Sequence, residues 1–170
     1  MLGGMAGVLY SWSFAQREKM IWLESFLRFL KKSRYAMQSE RIKLVDYFKK
    51  YIAQDLSART SAETSFTSML EEMINRLSTN TYPNGQMVWE EVFKEKRQKL
   101  QFDNEVFQIL VQAANGFFGG SREENICFLE KSIEQLEQQQ RNMKEKNVQE
   151  RKVWIPVGML GVMMLIILFL

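Results

Sequence analysis

The sequence predicts an all-α protein: a helical bundle whose long C-terminal helix runs on into a transmembrane span. Three observations carry this prediction. No segment shows sustained strand-like alternation, whereas apolar residues recur at spacings of three and four along most of the chain. Between residues 17 and 152, Pro83 is the only proline, so little there would break a helix. The charges are also partitioned, since all 23 Lys+Arg and all 20 Asp+Glu lie in 17–152 while 1–16 and 153–170 carry none. An ordinary soluble domain spreads its charges to both ends, and a segment so densely charged has no room for an internal span. The chain therefore divides into 1–16, a partial N-terminal membrane segment; 17–152, a cytoplasmic helical domain; and 153–170, a C-terminal transmembrane helix.

Residues 1–16 contain Ser11, Ser13, Gln16 and three early glycines. As a helix they reach only about 24 Å, short of the ~30 Å hydrocarbon core. The basic residues Arg17 and Lys19 follow this stretch instead of preceding it, unlike the order in a signal peptide. The expectation is a half-length or re-entrant membrane segment, or the end of a longer span that begins upstream.

A first helix is predicted from about Arg17 to Ser33, carrying Ile21, Trp22, Phe26, Phe29 and Leu30. A second stripe of Ile42, Leu44, Val45, Phe48 and Ile52 allows it to continue through Tyr35–Tyr51. The polar run SARTSAETS at 57–65 reads as a linker. Phe66, Met69, Leu70, Met73, Ile74 and Leu77 then mark a helix ending near Ser78. STNTYPNG at 78–85 joins Pro to Asn-Gly turn chemistry and is the strongest break. A short helix with Val88, Trp89, Val92 and Phe93 follows, then another from about Phe102 with Val106, Phe107, Leu110 and Val111.

Asn115-Gly116 and Gly119-Gly120 are expected to stop that helix, and Ser121-Arg-Glu-Glu124 reads as a capping box starting the last one. The GGS turn lacks the preceding strand and the Lys-Ser/Thr of a phosphate loop. Ile126, Leu129, Ile133 and Leu136 follow a/d spacing, which fails at Gln140 and Asn147. The last helix should thus pack through its first half and be solvated in its second, a stalk (EQLEQQQRNMKEKNVQERK) leading to the span. Its glutamines invite a coiled-coil reading, with only two good heptads behind it.

Val153–Leu170 would reach roughly 27 Å as a helix. Pro156 near its start and the spaced Gly158 and Gly161 are tolerated in membrane helices, and Trp154 suits the interface. The flank Arg141, Lys144, Lys146, Arg151 and Lys152 places the charged domain in the cytoplasm by the positive-inside bias.

The chain holds no histidine, which excludes histidine catalysis and histidine metal ligands. A single cysteine, Cys127, cannot form an intramolecular disulfide, and beside Ile126 and Phe128 it is expected to be a buried, inert thiol. A net charge of +3 is too small to argue for nucleic acid. Glu71, Glu72, Glu90, Glu91, Glu123 and Glu124 all sit in helical stretches beside Lys or Arg, where surface charge is the default. No enzyme, cofactor, metal or small-molecule substrate is predicted.

Several motifs add a resemblance. Phe118-Gly119 makes a turn, Ser121 precedes Arg122-Glu123, a Gln/Glu-rich helix carries Leu136 and Glu137, and Gly158 and Gly161 are spaced in the terminal stretch. MVWEEVF at 87–93 is built around Trp89-Glu90-Glu91, and LGGMAGVLYSW has the look of half a membrane helix. On these motifs the chain resembles the stage III sporulation protein AB family, with about eight to ten residues of the first membrane helix expected upstream of Met1. It departs from the family in the turn before Arg122, which lacks an Asp, and in ERIKLVDYFKKYI, which lacks a Tyr-Gly-x-x-Pro-Leu turn.

The resemblance implies a membrane protein of endospore-forming bacteria, encoded with a secretion-type ATPase and channel-ring proteins. Its soluble domain would be similar to that of the inner-membrane platform protein of type II secretion and type IV pilus machines. The implied role is a membrane platform subunit of the complex linking mother cell and forespore. Its partners would be the complex's ATPase, its other membrane subunits and the lipid bilayer. Exposed regions such as the STNTYPNG turn or the charged stretch around Lys94–Lys99 would meet the ATPase. The other reading is a tail-anchored helical tether or adaptor without a secretion role.

Overall fold

The computed structural model describes the backbone of residues 2–39, 43–54, 60–79, 84–100 and 102–169, and the side chains of 14–39, 43–54, 60–79, 84–97, 102–146, 148 and 149. The described residues form seven α-helices and no strand, as the sequence predicts. They are α1 (Leu2–Ser39), α2 (Leu44–Gln54), α3 (Ser61–Ser78), α4 (Gly85–Leu100), α5 (Asn104–Gln112), α6 (Asn115–Phe118) and α7 (Arg122–Phe169). The chain divides into two units, Met1–Leu136 and Glu137–Leu170.

In the first unit, α1 packs on α3, α3 also on α2 and α4, and α4 on α5 and α6. The stripe Trp22, Phe26, Phe29, Leu30 lies on one side of α1 because its members fall three, four or one residue apart, and all four are fully buried. Trp22 stacks on Phe26 at 5.8 Å and meets Phe66 of α3 edge-on at 5.5 Å. Phe29 takes Phe48 of α2 at 5.3 Å and Phe117 of α6 at 5.6 Å. Each such ring contributes about 1.5–3 kcal/mol through removal of its apolar surface from water, so this aromatic ladder is the main adhesive between the helices.

The ladder also explains the first departure from expectation. The apolar stripe does not continue as one helix through Tyr35–Tyr51, since α1 ends at Ser39 and α2 starts at Leu44. As a separate helix α2 brings Phe48 and Tyr51 onto Phe29, which residues 19 and 22 positions further along a straight helix would never touch. Ile42 lies outside the described residues.

The second departure is at 57–65. Thr60 caps α3 in a reciprocal box: its N–H donates to Glu63 Oε2 at 2.8 Å, and the Glu63 N–H donates to Thr60 Oγ1 at 3.4 Å. Residues 61–65 are therefore the first turns of a helix. A Thr-x-x-Glu signal lay inside the apparent linker.

α3 ends at Ser78 as expected, and half of the 78–85 break, Pro83 included, lies outside the described residues. Asn84 Oδ1 accepts from the Met87 N–H at 2.9 Å, and α4 then runs for 16 residues, longer than the short helix predicted. α5 ends at Gln112, just ahead of Asn115-Gly116, which lies in the one-turn α6; Gly119-Gly120 follows α6 and separates it from α7. The Ser121 capping box is present, with its N–H donating to Glu124 Oε2 at 2.8 Å and its Oγ accepting from the Glu124 N–H at 3.3 Å.

Within the first unit α7 buries Leu129, Ile133 and Leu136, and Ile126 is half-buried. In the second unit the described side chains are half-buried or exposed, linked along the helix by Gln138 Nε2 to Asn142 Oδ1 at 3.1 Å and Arg141 Nη2 to Gln138 Oε1 at 2.9 Å. Among the described residues no helix is long and apolar enough to cross a membrane. The expected span at 153–170 and the segment 1–16 fall largely on residues whose side chains lie outside the described ones.

Candidate interaction site

Four of the motif residues meet in one chain of contacts through α4, α5, α6 and the start of α7. It begins at Trp89, wholly buried on α4. Its Nε1–H donates to the Leu110 carbonyl at 2.8 Å. At this end of α5 the Ala113 N–H goes to Ile109 and the Ala114 N–H to Val111, so Trp89 takes the carbonyl left between them. A buried indole N–H needs a partner, and a helix end needs its carbonyls satisfied; one bond does both. Phe117 lies 5.1 Å from the Trp89 ring and Phe118 6.3 Å, which seats α6 on α4.

α6 passes close to α7. A Cβ on Gly116 would stand 2.6 Å from Leu129 Cγ and Cδ2, and one on Gly119 2.3 Å from the Asn115 carbonyl oxygen. Only glycine permits both approaches. The turn then delivers Ser121 as the cap of α7 and Arg122 as its first residue. Arg122 reaches 85 and 84 residues back in sequence: Nε donates to the Met37 carbonyl at 2.7 Å and Nη2 to the Gln38 carbonyl at 2.6 Å. These oxygens lie in the last turn of α1, where carbonyls lack intrahelical partners and carry partial negative charge. A charged planar fork suits them. Arg34–Glu130 at 3.3 Å is a second, solvent-exposed tie between α1 and α7 and counts for little.

Glu123 is exposed in the first turn of α7, where a carboxylate suits the helix N-terminus. The surroundings of Gly158 and Gly161 lie outside the described residues. Cys127 is exposed, contrary to expectation, and so is Phe128. The inward face of α7 is set by Leu129, Ile133 and Leu136; consecutive residues on a helix turn by 100°, so apolar neighbours in sequence do not make Cys127 a core residue.

The carboxylates of α3 and α4 form surface ion pairs. Arg76 bonds Glu72 on its own helix and Glu95 across on α4 at 2.9 Å, with Glu91 at 3.9 Å, while Lys96 lies 3.6 Å from Glu72. The hydrogen bond that Arg76 donates to Glu95 holds the Arg76 pKa above even its usual high range, against a smaller opposing effect of burial. Glu90 pairs with Lys94 at 3.9 Å. Among the described residues, no group of three or more His, Cys, Asp or Glu side chains is placed to hold a metal ion.

Fold and site together define an all-helical bundle protein in which the start of the last helix is clasped to the end of the first. The model of the stage III sporulation protein AB family matches residues 1–170, the whole chain, and the chain belongs to that family. Membership carries a role in stage III of sporulation. No curated protein and no solved structure matches the chain.

Proposed function

We propose that the protein is a membrane platform subunit of the sporulation secretion-like complex that links mother cell and forespore, and that a cytoplasmic ATPase docks on its helical domain. The observation that carries this reading is family membership over the full 170 residues, joined to the two uncharged ends of the sequence. Residues 153–170 anchor the chain, 1–16 contribute a second membrane contact, and 17–152 lie on the mother-cell cytoplasmic side. The protein acts by holding partners, without catalysis or a cofactor.

Carbonate extraction of membranes from sporulating cells tests the anchor. The full chain should stay in the pellet, and deletion of 153–170 should weaken that retention. Purification of the chain from the same cells tests the partner, with a secretion-type ATPase expected in the eluate. A chain that stays membrane-bound but brings down no ATPase would favour the tail-anchored tether, the reading suggested by the single stretch of full spanning length.

A further inference from the structure

We draw no further inference here: the strongest candidate, the open groove between α1 and α2 lined by Lys31, Lys32, Lys50, Tyr35, Tyr47 and Tyr51, carries nothing, because Lys31 and Lys50 already interact within the chain, Tyr51 is buried, and nothing in the structure shows what covers it.

Discussion

Arg122 donates from Nε to the Met37 carbonyl at 2.7 Å, so the first residue of α7 closes the last turn of α1. With the companion bond to Gln38, this clasp joins segments more than 80 residues apart in sequence. Arg122→Gln removes the charge and the fork, and the exposed setting lets water replace much of what is lost. The expected cost is about 1 kcal/mol, with Arg122→Lys recovering part of it. Urea unfolding of the full chain in mild detergent, followed by circular dichroism, reads the difference. A variant as stable as wild type would make the clasp a passive contact.

Trp89→Phe keeps most of the ring but removes the donor to the Leu110 carbonyl, which is left buried without its partner. Desolvation of that oxygen and the small void together predict a loss of about 2–3 kcal/mol. The same unfolding measurement checks it, and Trp89→Leu should cost more because the contacts to Phe93 and Phe117 go as well.

Gly116→Ala offers a test by sign. Helix propensity alone would make alanine better by about 1 kcal/mol. The new methyl would instead stand 2.6 Å from Cγ and Cδ2 of Leu129, a fully buried side chain that would have to shift within the core. Overpacking of that kind costs about 1–3 kcal/mol, so the net effect should be destabilising. Adding Leu129→Ala should make the double variant less unstable than the sum of the two singles.

Tyr47 predicts a pH dependence. Burial pushes its phenol above the ordinary value of 10.0, with a smaller opposing effect from the Ser33 hydroxyl. A raised folded-state pKa means the folded chain holds the proton more tightly than the unfolded chain. The stability this contributes is present in full below pH 10 and is lost as pH rises through the folded-state value. Chemical denaturation from about pH 9 to 11 should therefore show wild type losing more stability than Tyr47→Phe.

Much of the bundle was legible in the amino-acid order because helices advertise themselves over short distances. The apolar stripe of α1, the end of α3 at Ser78 and the Ser121–Glu124 box all depend on residues within a turn or two of one another. The Thr60–Glu63 box was just as local, but polar composition hid it as a linker. At Cys127 adjacency was mistaken for a shared face.

By itself, then, the sequence determined that the chain is helical, where most helices start and stop, that its charges are confined to 17–152, and the family to which it belongs. Tertiary structure alone decided that α1 and α2 are separate helices, which carbonyls Arg122 and Trp89 take, why Gly116 must lack a Cβ, and that three lysines and three tyrosines share one groove. Helical periodicity is a property of neighbouring residues. The partner of a guanidinium or an indole N–H is chosen by helices that meet only when their apolar faces leave water together.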